Sequence, residues 1–172
     1  MKHKIPSDTW ISPKIEIMQV PFKGRGMFAR ERIKAGEKVM VWGGTWGVDY
    51  MDREAAEKAE EEGKLIMQWD DDLYSAETPG DSDGYFINHS CDPNTWMTDA
   101  FTHAARRDIE RGEEVTNDYA MMEADENYIS SWKCKCGSPM CRGRVTGKDW
   151  RLPELQKRYQ GHFSPLINKR IG

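Results

Sequence analysis

The residues in this chain most committed to a chemistry are its four cysteines, Cys91, Cys134, Cys136 and Cys141. The last three form the run Cys134-Lys135-Cys136-Gly137-Ser138-Pro139-Met140-Cys141; the first stands far upstream in Ile87-Asn88-His89-Ser90-Cys91-Asp92-Pro93-Asn94. Three clustered thiols with one distant partner describe a tetrahedral structural zinc site, one ion per chain, that staples the C-terminal segment onto the body of the domain. A disulfide is a poor rival, because Cys134 and Cys136 stand too close in sequence to bridge without strain. Unrelated buried thiols would rarely fall three within eight residues around a Gly and a Pro.

Two glycines, an Asn-His pair and a tyrosine form the second group of candidates. Gly24 and Gly26 let a backbone approach a ligand closely, though a lone Gly-x-Gly supports no more than a turn. Asn88 and His89 have a plain alternative as satisfied core polar groups. Tyr119 has one as a core tyrosine at a strand end. Four stretches in order nevertheless carry a resemblance over roughly residues 14–146. Asn88-His89-Ser90-Cys91-Asp92-Pro93-Asn94 resembles the N-H-S-C-x-P-N signature of SET-domain protein-lysine methyltransferases. Gly24-Arg25-Gly26-Met27-Phe28-Ala29 resembles their G-x-G-x-F/R-A motif, and Gly112-Glu113-Glu114-Val115-Thr116-Asn117-Asp118-Tyr119 their G-E-E-L-T-x-D-Y motif. Cys134 to Cys141, followed by Arg142-Gly143, resembles the zinc-binding post-SET segment.

The resemblance implies transfer of a methyl group from S-adenosylmethionine to a lysine side chain of a protein substrate. It implies that Lys23, Gly24 and Arg25 contact the methionine end of the cofactor through their main chain. Asn88 and His89 bind its amino group and adenine, and Val145 is an apolar lid on the adenine. Tyr119 is the catalytic residue, its hydroxyl acting at the polarised methyl. The enzyme's part is to align nitrogen, methyl and sulfur in a water-poor channel that favours a neutral amine. A class I methyltransferase is disfavoured, because no long helix follows the glycines.

Three positions depart from the family pattern. Asn117 stands where a Phe or Tyr helps set how many methyl groups are added. Trp42-Gly43-Gly44 stands for Tyr-x-Gly, so an indole walls the lysine channel in place of a phenol. Tyr85 stands where an Arg often precedes Phe-Ile-Asn-His near the cofactor. Two other functions therefore stay open: a catalytically weak or inactive SET-like module that binds a basic peptide, and a zinc-stabilised adaptor whose motifs are structural. Retention of Tyr119 favours the enzyme.

These residues need elements to position them. Lys14 to Val20 alternates polar and apolar residues and reads as a strand; Gly24 and Gly26 read as a tight turn. Met27 to Arg30, Lys38 to Trp42, Leu65 to Trp69, Thr95 to Thr98 and Val115 to Thr116 are short strand candidates. Asp52 to Glu62 is the clearest helix, capped by Asp52 and ended by Gly63. Asp70 to Gly84 reads as a polar loop, and Pro153 to Tyr159 as a short helix with Pro153 in its first turn. The fold class is mostly β with short helices. The resemblance implies the SET β-clip fold, in which a pseudoknot-like C-terminal motif brings Asn88-His89 beside Asp118-Tyr119. It divides the chain into a SET domain over 14–120 with an insert at about 49–83, a post-SET zinc segment at 130–146 and a C-terminal extension at 147–172. Trp42, Trp69 and Tyr85 are the aromatics expected nearest the channel.

Charge is distributed unevenly. Asp49 to Asp83 holds thirteen acidic and three basic residues, while Lys133 to Gly172 holds ten basic and two acidic. A chain so divided lacks the single basic face of a nucleic-acid binder, and no direct nucleic-acid binding is expected. The acidic stretch either steers a basic peptide or is a solvated helix and loop. The expected partner is a protein or peptide with an accessible lysine in a basic context, a histone or another basic protein. No apolar run approaches the ~20 residues of a membrane span, and Met1 to Pro6 lacks the apolar stretch of a signal peptide. Reduced, metal-bound thiols suit an intracellular setting, cytoplasmic, or nuclear for a eukaryotic enzyme acting on histones.

Overall fold

A computed structural model describes residues 5–20, 24–43, 48–78 and 86–172. Its strands are short and form three small sheets. The first comprises β1 (Trp10–Ile11), β4 (Lys38–Val41), β10 (Thr102–Ala105) and β9 (Thr95–Met97), in that order. The second comprises β2 (Ile15–Val20), β3 (Gly24–Ala29), β11 (Glu114–Asn117) and β8 (Asn88–His89). The third comprises β5 (Val48–Met51), β7 (Leu73–Glu77) and β6 (Leu65–Asp70). Three α-helices, α1 (Arg53–Glu61), α2 (Pro153–Arg158) and α3 (Pro165–Ile171), and the 3-10 turns Tyr119–Met121 and Asp149–Arg151 complete the described elements.

Of the two glycines expected at a turn, Gly24 closes the β2–β3 hairpin against Val20 with a φ of 85°. Gly26 lies inside β3, paired with Met18. The β3–β11 ladder then runs only through Phe28–Glu114 and Met27–Val115. Beyond it, β11 turns to β8 and pairs in parallel, Thr116 with Asn88 and Asn117 with His89. The sheet therefore splits beside the two glycines. Asn94 locks the split. Its carboxamide accepts from Thr116 N–H at 2.8 Å and donates to the Glu114 carbonyl at 2.8 Å, standing in for a strand partner.

The acidic stretch divides differently from expectation. Asp52 caps α1 by accepting from Ala55 N–H, as expected, and only Ala56 and Ala59 of that helix are buried. The expected loop at Asp70 to Gly84 instead contains β7, a strand of the third sheet from Leu73 to Glu77; residues 79–84 of that expectation lie outside the described residues. Asp71 and Asp72 are the hairpin turn. The polar Ser75 and Glu77 disguise the strand, because they lie buried inside the sheet.

The C-terminal extension belongs to the same core as the rest. Leu155, Tyr159, Phe163, Leu166 and Ile167 join Ile15, Met27, Ile33, Met40 and Ile109 in one buried cluster. Ser164 caps α3 through Ile167 N–H, and its own N–H donates to the Met121 carbonyl at 2.7 Å. At the other end of α3, Lys169 pairs with Asp71, and Arg170 donates to the Ala124 carbonyl at 2.6 Å. Among the described residues no helix is long and apolar enough to cross a membrane.

Candidate functional site

The parallel β8–β11 junction gathers the motif residues. Asn88 donates from Nδ2 to the Arg25 carbonyl at 3.1 Å and to Glu114 Oε1 at 2.8 Å, across the split between β3 and β11. This is why residue 26 is a glycine. A Cβ there would come within 2.8 Å of Asn88 Nδ2 and 2.9 Å of Val20 Cγ2.

His89 is buried, and its two ring nitrogens face opposite partners. The Tyr119 backbone N–H points at Nδ1 at 3.3 Å, and Nε2 lies 3.3 Å from Cys91 Sγ. A backbone N–H only donates, so Nδ1 accepts and the proton sits on Nε2, donating to sulfur. One imidazole thus links a cysteine of the cluster to the backbone of Tyr119. The Tyr119 ring lies 5.3 Å from that of His89, and its hydroxyl donates to the Ile87 carbonyl at 3.0 Å. Tyr119 opens a short 3-10 turn ending at Met121. Asn117, the residue two before it, is wholly buried; its Nδ2 meets Met122 Sδ at 3.0 Å, and its Oδ1 has no hydrogen-bond partner among the described residues.

The four cysteines converge. Their Sγ atoms lie within 4.8 Å of one another, and Cys91 and Cys134 are 3.9 Å apart. Tetrahedral zinc with Zn–S bonds of 2.3 Å separates its sulfurs by about 3.8 Å, so this set fits such an ion. Burial pushes the Cys91 thiol up to about 11. Burial acts in the same direction on Cys136, yet hydrogen bonds from the backbone at Cys91 and Ser138 and its thiol neighbours lower it to about 7. Cys91 Sγ also receives the Arg142 N–H at 3.3 Å, beside the His89 Nε2–H. Donors of this kind offset the charge that four thiolates bring to a metal.

The sequence motifs do not reveal the feature that joins this cluster to Tyr119. Arg142, the residue after Cys141, reaches back across the domain to Asp118, the residue before Tyr119. Its Nη1 and Nη2 donate to the two Asp118 oxygens at 2.8 and 2.6 Å, and its Nε donates to Asp149 Oδ2 at 2.8 Å. Asp118 is fully buried and also accepts from the Tyr159 hydroxyl at 3.1 Å and Ala120 N–H at 3.0 Å. Burial opposes the Arg142 charge, but the Asp118 carboxylate more than restores it, holding the guanidinium's pKa above its ordinary value. The Asp-Tyr pair and the Cys-Arg-Gly run were both visible in the sequence; their contact was not. Trp132 was also missed. It lies 5.8 Å from the His89 ring and packs edge-on to Tyr119 at 6.2 Å.

The remaining candidates fall in three places. Gly24 and Arg25 lie at the opening end of β3, with the Arg25 guanidinium 3.9 Å over the Phe86 ring. Trp42 and Trp69 are both buried, their rings 6.0 Å apart in an aromatic group that includes Tyr50 and Phe101. Gly43 beside Trp42 must be a glycine, because a Cβ there would meet the Asp8 backbone at 2.2 Å. Val145 is wholly buried and exchanges hydrogen bonds with Ser130. Lys23, Gly44 and Tyr85 lie outside the described residues.

Mostly β structure in small split sheets, a parallel β8–β11 junction and a four-cysteine staple define the class. The model of the SET domain matches residues 24–120, and the chain belongs to the SET-domain family. It is 30% identical over 151 residues to the protein named histone-lysine N-methyltransferase trithorax of Drosophila virilis, a match covering 83% of this chain and 4% of that protein. It is 30% identical over 142 residues to histone-lysine N-methyltransferase ASHH3 of Arabidopsis thaliana, covering 77% of this chain and 38% of that protein. Over 81 residues it is 38% identical to histone-lysine N-methyltransferase ash1 of Drosophila melanogaster, covering 43% of this chain and 4% of that protein. The chain thus spans a minor part of these relatives' length.

Proposed function

We propose that this chain is a protein-lysine N-methyltransferase that uses S-adenosylmethionine and holds one structural zinc ion on Cys91, Cys134, Cys136 and Cys141. The observation that carries the reading is the Tyr119 hydroxyl, fixed by the Ile87 carbonyl beside Asn88-His89 at the split of the second sheet. With its proton committed to that carbonyl, the phenol oxygen keeps lone pairs for the C–H groups of a polarised methyl. When bound, the cofactor supplies an electrophilic methyl on a sulfonium. Gly24 and Arg25, with Lys23 by the resemblance, would hold its methionine end, while Asn88 and His89 would orient its amino group and adenine. Val145, with Tyr85 by the resemblance, would complete that side. Trp42 and Asn117 border the lysine channel, and the Trp132 ring helps keep water from Tyr119.

The zinc is structural in this scheme. It fixes Cys91, and through His89 and Arg142 it fixes both flanks of Tyr119. The substrate is a histone or another basic protein, as the names of the relatives suggest; a histone substrate would place the enzyme in the nucleus of a eukaryotic cell. The inactive-module alternative is disfavoured by the ordered Tyr119 hydroxyl. Incubation with radiolabelled S-adenosylmethionine, core histones and a cell lysate tests the proposal, with Tyr119→Phe as the control. Label on lysine with the wild-type chain, greatly reduced in the variant while cofactor binding persists, is the expected result. Cofactor binding without transfer to any protein would support the inactive module; wild-type turnover by the variant would remove Tyr119 from its role.

A further inference from the structure

We propose that Glu77 and Tyr50 form a buried subsite for a cationic side chain of the substrate peptide, an ammonium or a guanidinium; this rests on the methyltransferase reading above. Glu77 ends β7 and is 6% exposed, and among the described residues its Oε1 has no hydrogen-bond partner. The Tyr50 hydroxyl, on the neighbouring strand, has none either. In the β5–β7 register Tyr50 stands opposite Ser75 and Val48 opposite Glu77, so Tyr50 and Glu77 are diagonal neighbours on one face. Their closeness is felt electrostatically: the Glu77 charge adds to burial in raising the Tyr50 pKa. The Tyr50 ring packs 6.2 Å from Trp69 and 6.0 Å from Phe101.

A carboxylate buried without a donor is among the costliest groups a fold can keep. Burial raises the Glu77 pKa to about 7, and no neighbouring cation offsets it. A neutral acid would remove the charge but leave Glu77 Oε1 and the Tyr50 hydroxyl without a partner in the positions they hold. What both oxygens lack is a shared donor. An ammonium has three N–H groups and a guanidinium five, enough to serve Glu77 Oε1 and the Tyr50 hydroxyl oxygen together. Aromatic faces add a cation–π attraction that an anion or neutral ligand would not gain. The cation has two sources, the target lysine as it arrives, before it loses its proton, or a basic residue beside it.

The first test needs no turnover. The chain, labelled with 13C at glutamate side-chain carboxyls and saturated with S-adenosylhomocysteine, is titrated with n-butylammonium, n-propylguanidinium and uncharged n-pentanol. A carboxyl signal absent from Glu77→Gln is expected to titrate near pH 7 and to move to lower pH with a cation but not with n-pentanol. A Tyr50→Phe variant should show a smaller displacement. No displacement with either cation overturns the proposal and returns Glu77 to a neutral acid of the core. The second test assigns the source. Initial rates are compared on an alanine-rich peptide with one lysine and on the same peptide with an added arginine. Glu77→Gln raising KM about tenfold or more on both points to the target lysine; raising it only on the arginine peptide points to the flanking residue. Unchanged KM on both overturns the substrate role. Absence of methyl transfer by the wild-type chain would tell against the function proposed above, while the titration still decides the cation subsite.

Discussion

Removing the Arg142 guanidinium should unsettle Tyr119 without removing a metal ligand. Arg142→Met keeps the length and apolar stem of the side chain but takes away the bidentate pair to Asp118 and the bond to Asp149. Asp118 is fully buried, so its carboxylate would lose its principal counterion where water cannot replace it. Breaking one side of a buried pair costs about 3–5 kcal/mol, most of it the penalty for the stranded partner. For a domain of this size each kcal/mol is worth roughly 2–4 °C in Tm, so a loss of about 10 °C is expected. Asp118→Asn should cost less, because an amide oxygen still accepts from Arg142 and Tyr159. The double variant is the decisive measurement. Once residue 118 is neutral, losing Arg142 no longer strands the Asp118 carboxylate and leaves only the lost bond to Asp149, so the double variant should be more stable than the sum of the single losses by at least ~1.5 kcal/mol. Urea unfolding supplies the energies, elemental analysis confirms that zinc is retained, and calorimetry with S-adenosylmethionine reports on the site. Additivity within about 0.5 kcal/mol would refute the claim that the pair acts as a unit.

Elemental analysis should give one zinc per chain, and Cys91→Ser should lose both zinc and cofactor affinity, because Cys91 Sγ anchors His89 and Arg142; zinc-free protein with four freely alkylated thiols and full cofactor binding would contradict this. Gly26→Ala should weaken cofactor binding about tenfold or more by displacing Asn88, with little change in the zinc content; unchanged affinity would show that Asn88 tolerates the move. Stability should depend on pH with two opposing contributions, readable by urea unfolding. Burial lowers the His103 pKa from 6.5 to about 4, so its contribution is complete above about pH 6.5 and is lost as pH falls toward 4, roughly 3 kcal/mol in all. Burial raises the Glu77 pKa from 4.5 to about 7, so its cost appears as pH rises through that interval, and Glu77→Gln should stabilise the chain at pH 8 but not at pH 4.5.

Much of the candidate site was legible because its motifs are short and local. Asn88-His89, Asp118-Tyr119 and the cysteine run each carry their own spacing, and the resemblance placed the first two side by side, where the Tyr119 N–H meets His89 Nδ1. The Asp52 cap and the Pro153 helix start were readable for the same reason: each depends on residues within one turn. What escaped was long-range. Nothing in the order of residues says that Arg142 and Asp118, 24 positions apart, share two hydrogen bonds. Helix α3 had an overlooked local signal in Ser164-Pro165, a capping serine before a first-turn proline. Strand β7 misled because its polar residues were read as a loop, whereas Ser75 and Glu77 lie buried. Ser75 has a reason to be there, since its Oγ receives Trp69 Nε1–H at 2.8 Å. Glu77 has no such internal partner, and a polar residue that breaks the pattern without one is a signal of function rather than of a loop.

The charge asymmetry now has a more specific meaning. Read along the sequence, the acidic insert and the basic C-terminal segment suggest a surface held out to a basic peptide. In three dimensions the two partly meet: Lys169 of α3 pairs with Asp71 in the β6–β7 turn. That pair is exposed on both sides and contributes little to stability. Its position matters more, because α3 also takes the Met121 carbonyl at its first turn, two residues beyond Tyr119. The helix thus spans from the tyrosine turn to the acidic hairpin and satisfies one of that hairpin's charges itself. Neutralising Asp70, Asp71 and Asp72 together would disturb this internal contact as well as any peptide steering. The carboxylates of α1, such as Glu54, Glu57 and Glu61, stand on an exposed helix face, where neutralisation alters the field with less disturbance of the fold. Salt-sensitive loss of preference for basic peptides on neutralising them would assign steering to the helix; retention of that preference would leave recognition to the buried Glu77.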